Sequence, residues 1–110
     1  MILDFSKLAE SETPHFKGGD GSFFVKAWSD GKVKIMEGRL EPGASIGMHA
    51  HEGNCEVLFM LEGCGSALLP DGSAEEVPAG TVHYCPDGEG HSLRNLSDEP
   101  LRFFAVVPNS

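Results

Sequence analysis

Glycine- and proline-bearing turns cut this chain every 8–12 residues, and that spacing limits the fold more than any other feature. The breaks read Ser29-Asp30-Gly31, Glu41-Pro42-Gly43, Glu62-Gly63, Pro70-Asp71-Gly72-Ser73, Pro78-Ala79-Gly80, Pro86-Asp87-Gly88 and Ser97-Asp98-Glu99-Pro100. Fourteen glycines and seven prolines in 110 residues leave no room for a long helix. Between the breaks lie short apolar runs, so the pattern predicts about nine strands in an antiparallel sandwich, jelly roll or small barrel. The expected strands are Phe23 to Trp28, Val33 to Leu40, Ser45 to His51, Glu56 to Leu61, Cys64 to Leu69, Glu75 to Val77, Thr81 to Cys85, His91 to Asn95 and Leu101 to Val107. Ser6 to Glu12 is expected to form at most a weak helical turn before Thr13-Pro14. Gly18 to Gly21 is expected as a turn or mobile loop.

The length suits one domain with one core. Acidic residues outnumber basic ones, 17 to 8, for a formal net charge of -9. That balance argues against nucleic-acid binding and against an anionic membrane surface as partner. The three cysteines, Cys55, Cys64 and Cys85, are odd in number and form no C-x-x-C, so buried free thiols are expected. Residues 1–14 have no apolar core of signal-peptide type, and the default expectation is a cytoplasmic protein.

Chemistry concentrates in Gly43-Ala-Ser-Ile-Gly-Met-His49-Ala-His51-Glu-Gly-Asn-Cys-Glu56. Side chains two apart on a strand share a face, so His49 and His51 point the same way. Gly53-Asn54 reads as a hairpin turn that folds the next strand back alongside, bringing Glu56 across from both imidazoles. Leu58 and Met60 share the parity of Glu56, and Leu93 that of His91, so these three are expected to line an apolar pocket. Two imidazoles and a carboxylate suit Fe, Mn, Ni, Cu or Zn.

A second stretch, Gly80-Thr-Val-His83-Tyr-Cys-Pro86-Asp-Gly88-Glu-Gly-His91-Ser-Leu-Arg-Asn95, completes a pattern. The two stretches read G-x5-H-x-H-x4-E-x6-G and G-x5-P-x-G-x2-H-x3-N. With these ten positions the chain resembles the cupin family. At about one in ten per position, ten chance matches fall on the order of 10⁻¹⁰. A shifted register ending on His83 fits most of the second signature, but puts Asp87 where Asn belongs and leaves too few residues for a connecting hairpin. His83 is therefore read as a strand residue, structural or outward-facing.

The resemblance implies an all-β, single cupin β-barrel of antiparallel jelly-roll type over residues 22–110. Residues 1–21 are expected to form an N-terminal segment, dimer-exchanged or packed. It also implies His49, His51, Glu56 and His91 as ligands of one divalent transition metal. The implied activity is that of a metal-dependent enzyme, a dioxygenase, lyase or isomerase acting on a small molecule, with Glu56 as the available proton acceptor. The alternative is a non-catalytic ligand-binding or sensing module. A homodimer through the N-terminal strands is expected, where Phe5, Phe16, Phe23, Phe24 and Trp28 crowd together. The motif glycines and Pro86 are assigned to turns and Asn95 to satisfying backbone groups.

Overall fold

The computed structural model describes residues 1–109. Among the described residues ten strands form: β1 (Ser11–Pro14), β2 (Ser22–Ser29), β3 (Val33–Leu40), β4 (Ser45–Ala50), β5 (Glu56–Glu62), β6 (Cys64–Leu68), β7 (Ala74–Pro78), β8 (Val82–Cys85), β9 (Gly90–Arg94) and β10 (Leu101–Pro108). The nine expected strands are all present within a residue or two. β1 is the addition, lying antiparallel on β2 from Ser11 opposite Val25 to Pro14 opposite Ser22. Of the helical turn expected over Ser6 to Glu12 only a 3₁₀ turn at Phe5–Lys7 forms, and Ser11 and Glu12 belong to β1 instead; a second 3₁₀ turn lies at Phe16–Gly18. Gly19, expected in a turn or mobile loop, is buried.

The strands make two antiparallel sheets, one ordered β1-β2-β3-β10-β5-β8 and the other β4-β9-β6-β7. The all-β jelly-roll architecture is as expected, but among the described residues no ladder joins one sheet to the other, so the barrel is a two-sheet sandwich that does not close. The pairing also corrects the hairpin assigned to Gly53-Asn54. β4 pairs with β9, whereas β5 pairs with β10 and β8. The turn at Gly53, with φ of +76°, carries the chain from one sheet to the other.

Alternating burial follows from the pleat. In β10, Leu101, Phe103 and Ala105 are buried while the residues between them are not. The core joins Phe23, Leu40, Ile46, Leu58, Met60, Leu93, Leu101 and Phe103 from both sheets. Phe16 stacks on Phe23 at 5.3 Å between ring centres, and Phe23 on Phe103 at 6.0 Å. Phe5 meets Phe104 edge-on at 5.3 Å. Three of the aromatics assigned to a dimer contact are thus engaged within the chain, because β1 and the second 3₁₀ turn fold the N-terminal segment onto its own sandwich.

The motif glycines Gly43, Gly63, Gly80 and Gly88 have φ between +82° and +87°, as turns between strands require. Asn95 is fully buried and serves the backbone as expected. Its Nδ2 donates to the carbonyls of Leu40 (2.9 Å) and Glu99 (2.8 Å), and its Oδ1 accepts from Ser97 N (3.1 Å) and Oγ (2.7 Å). No helix among the described residues is long and apolar enough to cross a membrane.

Candidate metal centre

A bulge in β4 aims the first two histidines. Ile46 pairs with Leu93 and His49 with His91, so β4 spends one more residue than β9 between the two pairs. Without that extra residue, the parity of buried Ile46 would turn Met48 inward and His49 outward. With it, Met48 is exposed and both His49 and His51 face the interior. His91 stands opposite His49 on the neighbouring strand, and Glu56 reaches the group from the other sheet at the start of β5.

The four residues converge: one donor atom from each of His49, His51, Glu56 and His91 lies within 4.8 Å of the rest. The three ring centres form a near-equilateral triangle, with sides of 5.0, 4.9 and 5.1 Å. Glu56 Oε1 is 2.8 Å from His91 Nε2 and 3.3 Å from His51 Nε2, and those two nitrogens are 3.2 Å apart. His51, Glu56 and His91 are buried, and His49 is half-buried at the rim.

Each imidazole is held by its Nδ1. His49 donates to the Gly47 carbonyl at 2.8 Å, and His51 donates to Asn54 Oδ1 at 2.8 Å. His91 Nδ1 lies 3.0 Å from Nε2 of His83, whose own Nδ1 is 2.9 Å from Glu75 Oε1. A neutral imidazole tied at Nδ1–H presents a lone pair on Nε2, which is the form a metal requires.

The electrostatics agree. Burial pushes the Glu56 carboxyl up, but the hydrogen bond and charge of His91, with the charges of His51 and His49, more than offset it and leave Glu56 below the usual carboxylate range. Burial is the main influence that lowers His49 below the ordinary imidazole value, with the neighbouring histidines acting in the same sense. At neutral pH the site therefore offers an ionised carboxylate and an uncharged His49. The donor set and its convergence fit a divalent transition ion.

All three cysteines are free thiols, with Cys85 buried and Cys55 and Cys64 half-buried. Cys85 pairs with Glu56 across β5 and β8. Burial, followed by the nearby charges of Glu56 and Glu89, pushes its thiol up to about 11, so it stays protonated.

A family model for the cupin domain matches residues 36–107. The chain is a cupin. It is 29% identical to a Thermotoga maritima protein named oxalate-binding protein, over 97% of this cupin and 93% of that protein. It is 34% identical to the Bacillus subtilis oxalate decarboxylase OxdC over 61% of this cupin but only 18% of that longer enzyme. The crystal structure of a predicted oxalate decarboxylase from Thermotoga maritima superposes over the whole of both chains, with a TM-score of 0.92 at 28% identity.

A cavity of about 250 Å³ opens onto the cluster, lined by Phe16, Lys17, Lys34, Met36, His49, Ala50, His51, Asn54, Glu56 and Val107. The residues expected to line it are elsewhere: Leu58, Met60 and Leu93 are almost wholly buried in the core. Their inward parity is as expected, but they lie deeper between the sheets. Sequence reasoning also passed over Lys17, Lys34, Asn54 and Glu75. Lys17 arrives on the second 3₁₀ turn, in a left-handed conformation (φ +56°) that its sequence neighbourhood does not announce.

Proposed function

We propose that this cupin holds one divalent transition-metal ion on His49, His51, Glu56 and His91, and that the ion binds a small carboxylate of the oxalate class. The observation that carries this reading is the charge of the cavity wall. The chain carries a net charge of -9, yet the charged residues lining this cavity are Lys17, Lys34 and the candidate ligand Glu56. Three neutral imidazoles and one carboxylate would leave a divalent ion with local charge of about +1, and two lysines at the mouth add to the attraction for an anion. A bound ion supplies Lewis acidity toward an anionic oxygen. The names of the similar Thermotoga and Bacillus proteins point to the same ligand class.

Calorimetric titration of the metal-loaded protein with oxalate tests the reading. Lys17→Ala and Lys34→Ala are each expected to weaken binding about two- to fivefold, with the difference shrinking in high salt. Equal oxalate binding with and without metal would overturn it.

Uptake of Zn(II) is expected to fall as pH drops through about 6–6.5, where free imidazoles protonate and compete with the metal. The neutral ligand form exists above a histidine's own pKa, so affinity is present at higher pH and lost toward acid. The lowered value of His49 delays protonation there, and Glu56 stays ionised across the window. Elemental analysis after dialysis at stepped pH reads this directly.

A metal-dependent enzyme is the second reading, and Glu56 favours it. Held ionised at the inner end of the cavity, its carboxylate is the one proton acceptor of that type in the lining. Loss of oxalate over time in the loaded protein, absent in the metal-free protein, separates turnover from binding.

A further inference from the structure

His83 fell outside both motif assignments, yet it lies against the site. Its side chain is 3% exposed, and its ring stacks on that of His91 at 5.2 Å between centres. Its two nitrogens make two contacts of different kinds, to the Glu75 carboxylate and to His91 Nδ1. Glu75 lies on β7, an edge strand of one sheet, and His83 on β8, an edge strand of the other, so their contact crosses the seam of the sandwich.

The direction of this chain follows from what each group can do. An ionised carboxylate only accepts, so His83 donates from Nδ1 to Glu75. A neutral His83 then has a bare Nε2, which accepts from Nδ1–H of His91. In the metal-bound state His91 then keeps its lone pair on Nε2, the nitrogen that donates to Glu56 in the metal-free protein and also faces His51. With a metal ion on His91 Nε2 the opposite arrangement fails. A proton on Nε2 of His83 would set two lone pairs against each other at Glu75 and would move the His91 proton onto Nε2, where it blocks the ligand position.

We propose that His83 and Glu75 are positioning residues for the metal centre, fixing His91 in the tautomer and ring orientation that binds metal. The proposal rests on the metal reading above. His49 is anchored by a backbone carbonyl and His51 by a carboxamide, whereas His91 is anchored through an imidazole backed by a carboxylate. That pairing raises the electron density on Nε2, so His91 is the ligand whose donor strength depends most on its support.

Long-range ¹⁵N–¹H NMR of Zn(II)-loaded protein at pH 7.5 reads the His83 tautomer directly. The expected result is a proton on Nδ1 and a bare Nε2; a proton on Nε2 instead would overturn the proposal. Chelator competition for Zn(II) supplies the second measurement. His83→Leu is expected to lose about 10–100-fold in affinity, with a smaller loss for Glu75→Ala. His83→Gln should recover part of the loss, because its carboxamide oxygen accepts from His91 Nδ1. Glu75 has a half-exposed side chain (57%), so its variant keeps the test open if His83→Leu fails to fold. Wild-type affinity in Glu75→Ala, or no recovery in His83→Gln relative to a folded His83→Leu, would overturn the proposal. A wild type that takes up no Zn(II) would overturn the metal reading itself, a result separate from the tautomer.

Discussion

His49→Ala is expected to lower Zn(II) affinity by more than about 100-fold while changing folding stability by less than about 1 kcal/mol. Substitution of groups that merely orient a ligand costs about 10–100-fold, and that range is a floor for removing a ligand itself. His49 is the suitable member of the four because it sits at the rim, half-buried and lining the cavity. Truncating it opens space toward solvent rather than inside the core. His91, at 1% exposure, would leave an internal void and mix a packing loss with the metal loss. The truncation also removes a side chain that burial keeps uncharged, so no buried charge is left unpaired. Chelator competition gives the affinity and urea unfolding the stability. Wild-type Zn(II) binding in a folded His49→Ala protein would show that the four residues do not act as one centre.

Why these four residues were legible, and their surroundings were not, follows from the range of the interactions involved. The shared face of His49 and His51 is a property of one strand, and its period of two survives any tertiary arrangement. Turns at Gly43, Gly63, Gly80 and Gly88 are equally local, because a positive φ is a demand on one residue. The partner of β5 is a different kind of question. Parity and a Gly-Asn pair said that Glu56 meets the histidines, which the structure bears out. They could not distinguish a strand returning in the same sheet from one crossing to the facing sheet. Both routes bring Glu56 to the same imidazoles, and only the ladder with β8 and β10 decides between them.

The remaining differences have the same origin. Parity placed Leu58, Met60 and Leu93 inward, but depth along the sandwich axis depends on how the two sheets are offset. Nothing in the sequence around Lys17 or Lys34 marks them as cavity residues, and it takes the packing of a 3₁₀ turn on β4 to put one of them at the cavity mouth. Motif register excluded His83 as a ligand, and in the structure it contacts the candidate ligand His91 instead. Its hydrogen bond to His91 joins β8 to the opposite sheet, a contact that sequence spacing does not encode.

Gly47→Ala is expected to cost about 3 kcal/mol or more, because the added methyl meets backbone and not a side chain that can move. A Cβ at position 47 would fall 1.9 Å from the Lys17 carbonyl oxygen and 2.9 Å from Gly19 N. Gly19 answers in kind: a Cβ there would fall 2.1 Å from the Ser45 carbonyl oxygen. The second 3₁₀ turn and β4 therefore approach backbone to backbone, and neither can yield as a flexible side chain would. The same stretch carries both halves of the proposed site. The Gly47 carbonyl holds His49, and the turn pressed against it carries Lys17. If β4 gives way, His49 loses its orientation and Zn(II) affinity falls. If the turn lifts off, Zn(II) is retained and oxalate affinity falls with the loss of Lys17. Lys17→Ala is the control, since it removes the charge and leaves the backbone contact intact. It should keep stability within about 0.5 kcal/mol and lose only the anion term. Urea unfolding, Zn(II) competition and oxalate titration on the two variants separate these effects. A Gly47→Ala protein as stable as wild type would refute the close packing of the N-terminal turn on β4, and with it the account of how Lys17 reaches the cavity.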